Sequence, residues 1–432
     1  MSTPLGGRRG LPKLSIAGIA LTGRGWAFLL GGILAVLVAY GARRPELNYV
    51  GVLLIALPAL AVAYVLLRRP RFDVVRSFAP AIVPVGRTTS ARARVRNRGR
   101  STTSQVSWAD TLPFAPWATP ERELSRIDTA TPIELNYDLQ APRRGVFGIG
   151  PFVTELVDPF QLARSVTRHG GEQELVVTPE AVPLPETGLT VPAGSGEARL
   201  VQRRSAGDED DSITREYRPG DAMRRVHWRA TARHDELMVR QEEQRSLPHA
   251  RILVDTLVDG YLDADEGDES EAFEWVVRML ASVAVHLRRA GFLVTVLETG
   301  DRQLHVERRR TWGDEEFLAG LAPFELQPHR GDHRDELRGD GPLIALAGNP
   351  DGETADWMRR HRRPGSLAVA FLAQPLTAID RLDRTFAGPA RGGDAGERLL
   401  DDGWLVVPVR ADEDHAAAWS AVVMETGRAR GA

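Results

Sequence analysis

The chain has 432 residues, a formal net charge of −3, 26% charged residues and no cysteine. That length allows about two to four domains with a large core, and the near-neutral balance carries no basic signature for nucleic acid. Without cysteine there are no disulfides, no thiol catalysis and no cysteine-ligated zinc or iron–sulfur site, and a reducing compartment suits the composition. Lys13 is the only lysine, and it sits in Leu-Pro-Lys-Leu. The chain therefore has no P-loop lysine beside a phosphate, and its soluble part has no Schiff-base lysine.

The first elements are apolar. Trp26–Gly41 and Tyr49–Leu67 are uncharged, with Arg43, Arg44 and Glu46 between them. One helix through both would run about 60 Å, twice the hydrocarbon thickness, with two arginines in mid-bilayer. Two spans, 26–42 and 48–67, joined by a tight Arg43–Asn48 turn avoid both penalties. A cleaved signal peptide lacks its small-residue cleavage site here, and a buried soluble helical hairpin is the other alternative. Arg8, Arg9, Lys13 and Arg24 precede the hairpin, Arg68, Arg69, Arg71 and Arg76 follow it, and only Arg43 and Arg44 occupy the turn. The positive-inside rule then predicts a multi-pass protein with a cytoplasmic tail (1–25) and its soluble domains on the cytoplasmic side.

From 72 to 180 the period changes to two. Phe72–Arg76, Ser90–Asn97 and Ile133–Leu139 alternate apolar and polar residues, with Pro and Gly turn signals between them. A β-sandwich-like domain is expected, with Trp108 and Trp117 in packing roles. Arg92, Arg94, Arg96, Arg98 and Arg100 form a stripe that reads either as a solvated sheet face or as a contact for anionic lipid. The stretch 181–250 opens as a Pro/Gly-rich linker that becomes acidic over Ser205–Asp211.

From 251 to 432 strands alternate with helices. Ile252–Leu257, Phe292–Leu297, Pro342–Ala347, Leu367–Leu372 and Trp404–Val409 are predicted strands, and Gln303–Glu307 is a possible hairpin partner of the second. Glu271–Ala290, Glu315–Leu321 and Ala416–Thr426 are predicted helices. A doubly wound α/β fold results, with any ligand crevice at the carboxyl ends of its strands. The first strand ends Asp255-Thr256-Leu257-Val258-Asp259. A metal-ion-dependent adhesion site needs Asp-x-Ser-x-Ser there, hard oxygens aimed at Mg²⁺. Leu257 removes one ligand and Asp259 turns the other into a carboxylate, so a degenerate or absent site at Asp255 and Asp259 is expected, with Mg²⁺ the only cofactor left open. His329 and His333 make a poor zinc pair, Asp263–Glu269 lacks the EF-hand register, and neither G-x-G-x-x-G nor G-x-S-x-G occurs in usable context.

Between the two domains, 215–240 holds Arg215-Glu-Tyr217-Arg-Pro-Gly220-Asp221, then Arg224-Arg225-Val-His227-Trp228-Arg-Ala-Thr-Ala-Arg233 and Leu237-Met-Val-Arg240. This ordered run resembles the signature of the bacterial family catalogued as domain of unknown function 58. The resemblance implies a membrane-anchored multi-domain α+β protein of the bacterial cell membrane with a von Willebrand factor A-like C-terminal domain. It also implies a MoxR-type AAA+ ATPase as partner, and it brings no catalytic residues. Read from the residues, Pro219-Gly220 makes a turn, Asp221 caps the next helical turn, and Trp228 is expected to pack between the domains as a buried clasp. The alternative is docking, with exposed arginines and His227 against an acidic partner. The expected function is a non-enzymatic adaptor, and the other possibility is a divalent-metal-dependent ligand-binding module. The oligomeric state is left open.

Overall fold

A computed structural model describes residues 18–114, 122–129, 131–186, 213–217, 223, 226, 228–234, 236–241, 248–264, 270–304, 313–332, 341–376 and 393–422. The chain divides into two compact units, Met1–Pro179 with Leu318–Pro323, and Glu180–Phe317 with Phe324–Ala432. It is a mixed α+β protein.

The first unit starts with a short strand, β1 (Ile19–Leu21), that runs into helix α1 (Gly23–Gly41). Thr22 caps α1, its Oγ1 accepting from Gly25 N at 3.1 Å. Arg43 takes a left-handed φ of 52° in the turn, and α2 (Glu46–Leu67) comes next with Glu46 in its first turn, where a carboxylate meets the positive end of the helix dipole. The turn is therefore tighter than Arg43–Asn48. Both helices are long and apolar enough to cross a membrane. They approach closely at two glycines: a Cβ on Gly32 would meet Gly51 O at 2.9 Å, and one on Gly51 would meet Val36 Cγ2 at 2.5 Å. Leu30, Leu34, Leu37, Val52, Leu53 and Leu60 face outward and exposed. The far end of α2 behaves differently, because Ala61 and Val65 are buried in the same cluster as Phe72 and Trp108.

That cluster is the core of a β-rich body. Antiparallel β2 (Phe72–Ala79), β4 (Thr88–Asn97) and β7 (Ile133–Gln140) form one sheet, and strict burial alternation along β4 confirms the period-two reading. A second sheet runs β1-β10-β9-β5-β6, with β5 (Val106–Asp110), β6 (Arg122–Leu124), β9 (Phe152–Val157) and β10 (Ala163–His169). A third places β11 (Gln173–Thr178) between β3 (Ile82–Pro84) and β8 (Gly145–Ile149). Trp108 stacks on Phe152 with centroids 5.1 Å apart; Trp117 lies outside the described residues. Arg76, counted by sequence among the flanking cations, instead points inward between Val74 and Phe78. It donates to both oxygens of buried Asp110 at 2.9 and 2.6 Å and to Gly171 O at 2.9 Å, while the Tyr137 hydroxyl also donates to Asp110. Burial and the Asp110 charge push the Tyr137 phenol far up. The arginine stripe lies on the outer face of the first sheet, with Arg94 opposite Glu134, Arg96 opposite Asp73 and Arg92 opposite Asn136. Arg98 pairs with Asp73 at 2.5 Å. Charges of both signs interleave there, as on a solvated sheet face.

The second unit contains a two-stranded ladder, β12 (Ile213–Glu216) against β13 (Met238–Gln241), with the short helix α3 (Trp228–His234) between them. It also contains a five-stranded parallel sheet, β15-β14-β16-β17-β18, built from β14 (His249–Val254), β15 (Leu293–Glu298), β16 (Leu343–Ala347), β17 (Ala368–Gln374) and β18 (Leu405–Arg410). The five main predicted strands are present, the first ending at Val254 and not Leu257. Gln303 and Leu304 are not in a strand, and the rest of the proposed Gln303–Glu307 strand lies outside the described residues. Helix α4 (Glu271–Arg289), capped by Ser270, and a helix over 415–422 cover one face, where Trp275 and Trp419 meet Phe371. Helices α6 (Gly352–His361) and α7 (Gly393–Asp401) cover the other, bringing Trp357, Met358 and Leu399 onto Leu253, Ala345 and Ala370. Helix α5 (Asp314–Gly320) comes after β15. The strand order reverses between β14 and β16, which places a switch-point crevice at their carboxyl ends.

Candidate functional site

Two places qualify: the switch point and the signature segment. At the switch point Asp255 follows β14 and is 1% exposed. Its Oδ1 accepts from Thr299 Oγ1 at 2.7 Å and from Leu257 N at 3.3 Å, whereas its Oδ2 is buried without a hydrogen-bond partner. Thr299, at the end of β15, also accepts from Thr256 N at 2.8 Å, and Thr256 Oγ1 accepts from Gly300 N at 2.9 Å. Tyr261 donates to Asp255 O at 2.7 Å, and burial raises its phenol well above the ordinary range. Two glycines make the closure possible. A Cβ on Gly260 would stand 2.4 Å from Asp255 Oδ2, and one on Gly348 would stand 2.4 Å from Gly260 O.

Burial pushes the Asp255 carboxyl up to about 6, against the pull of the Thr299 hydroxyl, the Leu257 N–H and the Arg330 charge. Arg330 meets Thr354 Oγ1 at 2.9 Å and Asp351 at 3.4 Å, beside the Asp351 cap of α6. An open cleft of about 430 Å³ adjoins this edge, lined by Asn349, Asp351, Asp394 and Arg398 among others.

The donor set fits Mg²⁺ poorly. A hard cation needs several oxygens converging on one accessible point. Here Asp255 is shut in under Gly260, Asp259 is exposed on the 3₁₀ turn Val258–Gly260, and the Thr256 and Thr299 hydroxyls are engaged within the fold. Among the described residues no three His, Cys, Asp or Glu side chains come together as a metal site. The cluster chiefly locks three loop starts together. Thr299, Gly260, Tyr261 and Arg330 escaped sequence reading, although Glu298-Thr-Gly300 and Ala347-Gly-Asn-Pro-Asp351 both put a glycine close after a strand.

In the signature segment the ladder sets Thr214 opposite Arg240 and Arg215 opposite Val239, so Arg215 and Arg240 stand on adjacent rungs. Tyr217 N extends the pairing to Leu237 O at 2.8 Å, and Met238 N is held by Thr231 Oγ1 at 3.0 Å. Val226 is buried, and Arg233 is exposed. Gly220, Asp221, Arg225 and His227 lie outside the described residues. Trp228, the residue expected at the centre of the clasp, is 68% exposed, with Met223 and Leu237 also exposed near it in sequence. It opens a seven-residue helix, too short to enclose a ring of that size on its own face.

No curated protein matches the chain. Among solved structures, a CARDB domain from Pyrococcus furiosus crystallised in complex with di-metal ions is similar at 12% identity and a TM-score of 0.20, over 26% of this chain and 97% of that one. Its solution structure gives 12%, 0.17, 23% and 94%. A family two carbohydrate esterase from Cellvibrio japonicus gives 11% identity and a TM-score of 0.19, over 83% of this chain and 98% of that one. Likenesses this faint carry no argument about what the chain does. The informative match lies in sequence and spans the ladder, α3, β14, α4 and β15: residues 213–310 match the family described as Protein of unknown function DUF58, which supports a DUF58 family protein.

Proposed function

We propose that the chain is a multi-pass protein of the bacterial cell membrane, with its soluble domains in the cytoplasm, that works as a non-enzymatic adaptor for a MoxR-type AAA+ ATPase. In this reading the first unit is a β-sandwich-like body on a transmembrane hairpin, and the parallel sheet belongs to a von Willebrand factor A-like domain. The observation that carries the docking role is Trp228, two-thirds exposed within the DUF58-matching segment. A large aromatic left in water favours contact with a partner, since Trp is enriched among residues that dominate binding energy. At the switch point the acid and hydroxyls are turned into the fold, which suits a structural role for that cluster.

The test is a pull-down of the full chain from detergent extract, with and without ATP, beside its Trp228→Ala variant. Recovery of an AAA+ ATPase by the wild type and its loss in the variant is expected; no such protein under either condition removes the partner. A second reading, a divalent-metal-dependent ligand-binding module through Asp255 and Asp259, is favoured by one observation, the orphan Oδ2 of Asp255. It requires the Gly260 loop to open, and it predicts thermal stabilisation of the chain by Mg²⁺.

A further inference from the structure

The first unit contains a polar cleft of about 890 Å³ at the foot of the hairpin, where Tyr64 and Arg68 of the α2 end meet Ser104, Arg126 and the Asp158–Gln161 turn. The start of α1 is tied to that turn. Thr22 Oγ1 donates to Gln161 O at 2.5 Å, Arg24 donates to Gln161 Oε1 at 3.1 Å, and a Cβ on Gly25 would collide with Leu162 O. The cleft thus opens where the apolar helices give way to the β-rich body, directly beyond exposed Leu66 and Leu67.

Its charges are not equally free. Asp158 accepts from Phe160 N at 2.9 Å and from Leu162 N and Ala163 N at 2.6 Å each. Glu155 pairs with Arg164 at 3.3 Å, and Glu123 accepts from Gln105 Nε2 at 2.6 Å. Among the described residues the guanidinium groups of Arg68 and Arg126 have no ion pair or hydrogen bond, and both side chains are exposed. Glu123 and Asp158 keep their negative charge while accepting from neutral donors, so the draw on an anion is local to the two unpaired guanidinium forks, which grip a singly charged phosphodiester in a planar, two-pronged fashion.

We infer that this cleft binds the phosphate of an anionic glycerophospholipid from the bilayer that the hairpin crosses, with Arg68 and Arg126 as its ligands. The assignment rests on the membrane-spanning reading. The β4 arginine stripe is the contrasting case, since its arginines stand among acids on a solvated face.

The experiment compares the full chain with Arg68→Gln/Arg126→Gln and with Arg92→Gln/Arg94→Gln on the stripe, each purified from membranes in mild detergent. Bound lipid is counted by native mass spectrometry, and thermal shifts are read with dihexanoyl-phosphatidylglycerol, dihexanoyl-phosphatidylcholine and inorganic phosphate. Retention should fall about fivefold per arginine removed in the cleft and stay unchanged for the stripe variant. Only the phosphatidylglycerol analogue should shift the wild-type midpoint. Equal retention in all three proteins, equal loss in both variants, or a matching shift with inorganic phosphate overturns the lipid site. Carbonate extraction of the same membranes separates the two ideas: a chain that washes off refutes the anchor, whereas an anchored chain with unchanged lipid refutes the cleft alone. The variant midpoints without lipid, expected to equal the wild type's, report that the exposed substitutions leave the fold intact.

Discussion

Replacing Asp255 with Asn turns the switch-point cluster into a quantitative test. Native Asp255 titrates near 6, raised by burial, against about 3.9 in an unfolded chain. The folded state therefore holds this proton more tightly. Its contribution is fully present below about pH 4, falls as pH rises toward 6, and is gone above that, a loss of about 3 kcal/mol at 1.36 kcal/mol per unit. In the same unit His415 stacks on Trp275 and is pushed down to about 4 by burial. Its sign is opposite: stability rises with pH from about 4 to its unfolded value of about 6.5. The two slopes offset each other, so a nearly flat wild-type profile is uninformative. The difference between Asp255→Asn and wild type isolates the carboxyl, and any constant penalty for housing the amide drops out of its pH dependence. Thermal midpoints of the detergent-solubilised full chain, followed through the fluorescence of buried Trp275, Trp357, Trp404 and Trp419, should show the variant gaining about 3 kcal/mol on the wild type between pH 4 and pH 8. That amounts to roughly 6–12 °C in a domain of this size. A difference that does not change with pH would refute the buried, proton-holding Asp255.

Arg76→Met strands the Asp110 carboxylate inside the β core and should destabilise the first unit by about 3–5 kcal/mol, read as its thermal midpoint; a change under about 1 kcal/mol would mean that the pair is open to water. Trp228→Ala should leave stability within about 0.5 kcal/mol while abolishing partner recovery, and a loss of several kcal/mol would restore the buried clasp. Gly51→Leu, driven into Val36 and the Gly32 backbone, should cost about 1–3 kcal/mol in melts of the solubilised chain. Gly31→Leu, where a Cβ meets nothing within 4 Å, is its neutral control; equal effects from both would remove the glycine contact.

Elements with a strong period were legible in the sequence. The apolar spans, the alternating β2, β4 and β7, and all five parallel strands follow from local pattern, because one buried face imposes its repeat on the chain. Long-range partners were not. Arg76 shares the inward face with Phe72, Val74 and Phe78, where a buried charge calls for a counter-charge, yet nothing local names Asp110 as that acid. Asp255 stood out with Asp259 as the remnant of a degenerate or absent cation site, whereas its side-chain partner in the fold is Thr299, just after β15 and 44 residues away in sequence. Whether Trp228 is covered is not written in its identity, since exposure is decided by what folds over it.

The chain enters its hairpin from inside a sheet and leaves it inside a core. Ile19–Leu21 is hydrogen-bonded to β10, pairing Ile19 with Ser165 and Leu21 with Ala163, and the last turns of α2 carry Ala61 and Val65 into the cluster around Trp108. A version trimmed to begin at Phe72 would thus lack an edge strand and part of its interior filling, leaving β10 with unpaired N–H and C=O groups beside uncovered apolar surface. Such a fragment should self-associate, so the apolar hairpin cannot be trimmed away like a tether, and work on the β-rich body has to carry both helices along.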